Sequence, residues 1–365
     1  MSSTSPAHEK NQLKTLQIVR ALASTSVVYH HIGAAPCFGG QSYLPCFGGF
    51  GVDMFFVLSG FVMAMVVATG QAGTRFAINR VSRIVPLYWV LTTFVLTMAA
   101  LNPELLNSTT ANLLNYLRSI FFIPYMKENG TLMPMLFVGW SLNYEMFFYL
   151  CVWFSIVTVR RHALWVTTGI VLVAYVAFGH FVDSLVLNRF LGNGLMFEFI
   201  LGMVAFWVYE KRYLINVSTG VMVSAALVGY LCMAAVQANA LHINRLLSYG
   251  VPSFLVICAA VSLERSIDSV PAVVRNMLVG AGDASYATYL SHPYVTQAMR
   301  KVADQKLHLI DINSLPGVVV TISIVLLIGG VIYLSIDKPL SRICKALLEK
   351  IFTRAEVNNG LSNRT

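Results

Sequence analysis

The segment Arg20-Ala-Leu-Ala-Ser-Thr-Ser-Val-Val-Tyr-His30-His31 places a guanidinium and a pair of imidazoles within an apolar stretch. A guanidinium binds anions, and an imidazole can move a proton or attack a carbonyl carbon. Ionisable groups are costly inside a membrane, so each is a candidate for function. Eleven helical residues turn through about 1100°, within about 20° of three full turns. Arg20 and His31 therefore share one helix face, about 16 Å apart along the axis. His30 points about 80–100° away.

Four further segments carry polar groups. Gly51-Val-Asp-Met-Phe-Phe-Val-Leu-Ser-Gly60 brings Asp53, and Trp140-Ser-Leu-Asn-Tyr-Glu145 brings Ser141 and Glu145. Ser285-Tyr-Ala-Thr-Tyr-Leu-Ser-His-Pro293 brings Tyr286 and His292. A carboxylate at Asp53 or Glu145 is suited to orient an imidazole or to steady an imidazolium. The same residues also fit plain interhelical pairing. Arg80 and Arg83, three apart, are neighbours on a helical turn, and two guanidinium forks at a membrane boundary suit phosphate oxygens. A topological anchor is the competing reading of that pair.

The elements that must position these groups are membrane-spanning helices. Only 11% of the 365 residues are charged and 57% are hydrophobic, whereas a soluble domain carries about 25% charged residues. The apolar residues fall in long runs, which predicts an all-α, polytopic transmembrane helix bundle of about ten spans. The spans are expected near 13–33, 50–69, 83–101, 136–157, 163–181, 187–208, 214–236, 246–263, 280–299 and 316–336. With both termini cytoplasmic, 18 of the 25 Lys and Arg residues fall on the inner side, as the positive-inside rule requires. His31, Asp53, Glu145 and His292 then lie in the outer half of the bilayer, which predicts one shared polar cavity. Residues 1–12 are expected as a cytoplasmic tail, 13–338 as the transmembrane domain, and 339–365 as a basic cytoplasmic tail containing an interfacial helix through Leu347, Leu348, Ile351 and Phe352.

The net charge of +9 is explained by contact with anionic membrane lipids, so no nucleic-acid partner is expected. No Cys/His cluster has zinc spacing, so no metal is expected. Cys37 and Cys46 share the first external loop, as a disulfide or as two free thiols. No cleavable leader and no internal repeat is evident.

These segments, in this order, resemble the acyltransferase-3 family of integral membrane acyltransferases, and in particular the stand-alone exopolysaccharide and lipopolysaccharide O-acetyltransferases. The resemblance rests on Leu16-Gln-Ile-Val-Arg20 with His31, Gly51-Val-Asp53 through Phe61, Arg80-x-x-Arg83 before Pro86-Leu-Tyr88, Trp140-Ser-Leu-x-x-Glu145, and Ser285-Tyr-x-x-Tyr-Leu-x-His292. Two features depart from the pattern: a second histidine at His30, and no extracellular hydrolase-like domain after the last span. The resemblance implies transfer of an acetyl or other short acyl group from cytoplasmic acyl-CoA to a sugar hydroxyl, in a bacterial inner membrane. On that reading His31, Glu145 and Asp53 are catalytic and Arg20, Arg80 and Arg83 hold acetyl-CoA. Trp140, Ser141, Tyr286 and His292 contact substrate. Acetyl-CoA is a co-substrate and no cofactor is tightly bound. The partners are acyl-CoA, a carbohydrate or lipid-linked glycan, and membrane lipids. The alternative is a transporter or flippase of lipid-linked sugars, which also needs a polar cavity but not the arginine pair.

Overall fold

The computed structural model describes residues 13–32, 45–102, 109–239, 241 and 243–362. Its helices, in chain order, are α1 (Lys14–His31), α2 (Gly51–Ala68), α3 (Gly73–Leu101), α4 (Leu113–Ile120), α5 (Trp140–Val159), α6 (Ala163–Val176), α7 (Leu185–Leu191), α8 (Met196–Glu210), α9 (Thr219–Ala238), α10 (Val251–Ser262), α11 (Ala272–Asp283), α12 (Ser285–Ala298), α13 (Leu315–Ile332) and α14 (Lys338–Ser362). No strand occurs among the described residues. The chain is a helical membrane bundle.

Seven helical segments are long and apolar enough to cross a membrane, and they hold eight of the ten expected spans because Phe137–Phe181 contains two. That segment doubles back at Arg160–His162. The Thr167 hydroxyl donates to Ser155 Oγ across the hairpin at 3.0 Å. The two expected spans missing from the seven are α1 and the stretch around α12. Their arginine, histidine, serine and tyrosine residues lower the hydropathy, and they are the helices that carry much of the candidate site.

Helix α1 is the central element, packed against α2, α10, α11, α12 and α13. Its first turn has no side-chain cap of its own. The Glu264 carboxylate, far along the chain, accepts from the Lys14 and Thr15 backbone N–H groups at 2.8 and 2.9 Å, satisfying donors that a helix start leaves orphaned. At the other end, Arg300 Nη2 donates to the Ile32 carbonyl at 2.7 Å. With both ends tied, α1 holds Arg20 and His31 at fixed depths.

Helices α2 and α8 meet at backbone distance. A Cβ on Gly202 would stand 1.9 Å from the Val57 carbonyl, and one on Gly60 would stand 2.0 Å from the Phe199 carbonyl. Only glycine permits this crossing, which fixes Ser59 and Asp53 of α2 against the bundle interior. Outside the spans, the segment 109–135 is fastened to α3. Tyr88 Oη donates to Ser119 O at 3.1 Å, and Trp89 Nε1 donates to Ile120 O at 2.8 Å.

The described part of the expected C-terminal tail, through Ser362, is helical and continues from the last span. Helix α14 packs along α3 while leaving Ile343, Leu347, Ile351 and Phe352 exposed. Cys46 is disulfide-bonded, and Cys37 lies outside the described residues.

Candidate active site

The polar residues form three groups where the sequence predicted one cavity. The first is a cavity of about 90 Å³, walled by α1, α2, α3, α5 and α12. Arg20, Arg80 and Arg83 line it, together with Glu145, Ser141 and Tyr286. Six of the expected residues are therefore brought together. Arg20 Nε donates to Ser285 Oγ at 3.2 Å. Tyr286 Oη donates to Ile84 O at 2.6 Å, linking α12 to α3. The Arg80 guanidinium stands over the Tyr149 ring, 5.8 Å from its centroid. Its Nε is buried and makes no hydrogen bond, a donor left for an anion. Arg83 is exposed. The Glu145 carboxylate accepts from Ser59 Oγ at 2.9 Å and from the Tyr149 hydroxyl. Three guanidinium groups against one carboxylate leave the lining electropositive.

The second group is a histidine pair. Pro293 has no N–H, so the carbonyl four residues earlier, that of Tyr289, loses its helical donor. The His292 ring fills the gap, with Nδ1 2.6 Å from Tyr289 O. A carbonyl only accepts, so Nδ1 carries the proton and Nε2 of the neutral ring is an acceptor. That Nε2 lies 3.3 Å from His31 Nδ1, which also lies 2.9 Å from Val27 O. By the same reasoning His31 Nδ1 carries a hydrogen, and the lone pair of the neutral ring sits on Nε2. His292 is fully buried. His30 turns away, with Nδ1 3.4 Å from Gln237 Nε2.

The third group contains Asp53. Arg245 grips it as a fork, Nε to Oδ1 at 2.8 Å and Nη2 to Oδ2 at 3.0 Å. Glu198 is fully buried, as is Asp53. Where the sequence places a carboxylate beside the His31 ring, the structure places Val27 O and His292 there. Asp53 and Glu145 engage Arg245 and Ser59/Tyr149 respectively. Trp140 stands edge-on to Phe56 and Tyr144, at 6.3 and 6.0 Å between centroids, in an aromatic cluster.

A second cavity opens on His31 from the other side, lined by Phe137, Thr109, Pro293, Thr296, Gln297 and Arg300 among others. Along α12 the order is consistent: Tyr286 and Tyr289 face the arginine cavity, His292 follows, and Pro293, Thr296 and Gln297 line the second. Between the two lies a septum. The Tyr289 and Ser141 hydroxyls are 2.8 Å apart, and Tyr289 Oη donates to Val138 O at 3.0 Å.

Sequence reasoning did not single out Tyr149, Arg245 or Glu198. Tyr149 sits four residues after Glu145, a spacing that puts both on one helix face. Arg245 stands at the mouth of an expected span, where a lone arginine signals a buried partner.

An electropositive cavity and a buried histidine pair face each other across that septum within a membrane bundle, and residues 13–335 match the acyltransferase-3 family model, described as an acyltransferase domain. The chain belongs to that family. It is 30% identical over 304 residues to the exopolysaccharide production protein ExoZ of Rhizobium meliloti (strain 1021), covering 81% of this chain and 90% of that protein. No solved structure matches the chain.

Proposed function

We propose that this membrane acyltransferase moves an acetyl group, or another short acyl group, from cytoplasmic acyl-CoA to a hydroxyl of an exopolysaccharide, lipopolysaccharide or lipid-linked sugar. The supporting observation is the arrangement of two cavities on either side of the histidine pair, with Arg20, Arg80 and Arg83 gathered in one of them and Arg300 in the other. Arg80 and Arg83 hold the phosphates, bidentate where lysine would offer a point charge. The acyl-bearing arm runs past Arg20 and Tyr286 to the Tyr289–Ser141 septum, and the thioester meets His31 when that hydroxyl contact parts, over a run of about 16 Å. The acceptor hydroxyl comes from the second cavity. Its proton goes to His31 Nε2 as its oxygen attacks the thioester carbonyl carbon. The carbon–sulfur bond breaks, the thiolate takes the proton from the imidazolium, and the products are CoA thiol and an O-acyl ester.

In this reading His292 holds His31 in the tautomer with Nε2 unprotonated. Glu145 steadies positive charge in the donor cavity. Asp53, through Arg245, secures the outer end of α2. Trp140 maintains the aromatic wall beside Tyr144. The Lys14 end of α1 and the α2–α3 connection face the cytoplasm, as the distribution of Lys and Arg supports. The relative's role in exopolysaccharide production supports a glycan acceptor.

Sealed vesicles of known orientation test the reading. Labelled acetyl-CoA should serve only on the face carrying the chain termini, with labelled sugar appearing on the opposite face. A requirement for donor and acceptor on one face would refute the cross-membrane route, and no thioester turnover on either face would refute the donor.

A further inference from the structure

The cavity beyond His31 contains one strong cation and, among its described lining residues, no carboxylate. That cation is Arg300, half-buried in the π-helical turn Met299–Asp304 that follows α12. Arg300 already does one structural job, since Nη2 caps the Ile32 carbonyl just past the end of α1. Capping uses one of the five N–H donors on a guanidinium. Asp304, four residues on, is the nearest acidic residue in sequence, yet the two form no ion pair within 4.0 Å. A membrane-edge arginine whose partner is a carbonyl keeps its charge available to a ligand.

The rest of the wall suits a sugar. Thr109, Thr296 and Gln297 supply hydroxyl and amide groups, and Phe137 and Tyr294 supply ring faces. Phe137 lies against His31, 5.5 Å between ring centroids. A sugar ring seated on these aromatics would present a hydroxyl to His31 and a neighbouring substituent to Arg300.

We infer that the acceptor pocket selects an anionic hexose unit, with Arg300 binding its carboxylate or phosphate. This inference rests on the acyltransferase reading for the reaction but not for the binding. The shared chemistry is a negative oxygen pair beside a sugar ring. A uronic acid supplies it as a carboxylate, and a lipid-linked sugar supplies it as a phosphate.

The test uses the full chain in nanodiscs and measures dissociation constants by NMR for three probes: methyl glucoside, methyl glucuronide and glucose 1-phosphate. A charge-assisted contact predicts that wild type binds at least one anion about tenfold or more tighter than the neutral glucoside. Arg300→Gln should bring that ratio close to one, and Arg300→Lys should keep part of it. The ratio is internal to each protein, so partial misfolding does not mimic the effect. Preference for glucuronide alone assigns the carboxylate source, and preference for glucose 1-phosphate alone assigns the phosphate source. Equal binding of all three probes by wild type, or a ratio that persists in Arg300→Gln, overturns the proposal. Labelled acetyl-CoA run in parallel separates the two layers. Absence of acyl turnover counts against the enzyme reading, while the binding ratios still decide the anion site.

Discussion

Replacing Arg80 and Arg83 one at a time by lysine separates phosphate binding from topological anchoring, because both substitutions keep the positive charge. The structure predicts unequal effects. Arg80 has a buried Nε without a partner and a guanidinium lying over the Tyr149 ring. Lysine there loses the fork, the Nε donor and the planar stacking surface. Hydrogen bonds to charged groups are worth about 1.5–3 kcal/mol, so Arg80→Lys should weaken acetyl-CoA binding by about 10- to 150-fold. Arg83 is exposed. Exposed ionic contacts contribute about 0–1 kcal/mol, and lysine retains most of that, so Arg83→Lys should cost less than about fivefold. The exposed contribution should fade from low to high salt while the Arg80 effect persists. Titration calorimetry in nanodiscs at two salt concentrations reads both quantities. Equal and small losses at the two positions would refute phosphate binding and leave the anchor.

Three further outcomes follow from the packing. His30→Phe keeps a ring beside Gly49 and Gln237 and should retain substantial acyl transfer in a labelled-acetyl assay. Gly202→Ala places a methyl 1.9 Å from the Val57 carbonyl, so α2 and α8 must separate. Overpacking of this kind costs about 1–3 kcal/mol and should appear as a lower melting temperature in detergent. In the segment 109–135, burial pulls the Lys127 ammonium down from 10.5 to about 8, partly offset by the Glu128 carboxylate. The unfolded chain then holds a proton that the folded chain has lost between about pH 8 and 10.5. Folded stability should therefore rise with pH across that window, and the full penalty stands below it. Lys127→Met should raise the melting temperature most below pH 8, by at most about 3 kcal/mol equivalent, with the difference shrinking toward pH 10.5. A flat difference across that range would reject the buried-ammonium account.

Much of this arrangement could be read from helix periodicity. The spacing of eleven residues placed Arg20 and His31 on one face, and they line cavities on opposite sides of the septum. The three-residue spacing of Arg80 and Arg83 likewise brought both to the donor cavity. Periodicity says nothing about pairs far apart in sequence. The Arg245 fork on Asp53 spans 192 residues, and the Glu264 cap on α1 spans 250, so both wait on tertiary packing. Hydropathy alone understates α1 and α12 because their polar residues are directed inward. The proline after His292 was visible in the sequence, but its consequence required the ring position. By removing one backbone donor it frees the Tyr289 carbonyl to fix the tautomer of His292, and through it that of His31.

The central claim is that His31 Nε2 is the group through which the acyl acceptor is activated. The most direct measurement is labelled acetyl transfer from acetyl-CoA to sugar by His31→Ala and wild type, each in nanodiscs, with acetyl-CoA affinity measured on the same samples. The account predicts that transfer falls to background in His31→Ala while acetyl-CoA binding stays within a few-fold, because the arginine cavity lies on the far side of the septum. Transfer by His31→Ala near the wild-type rate would contradict it.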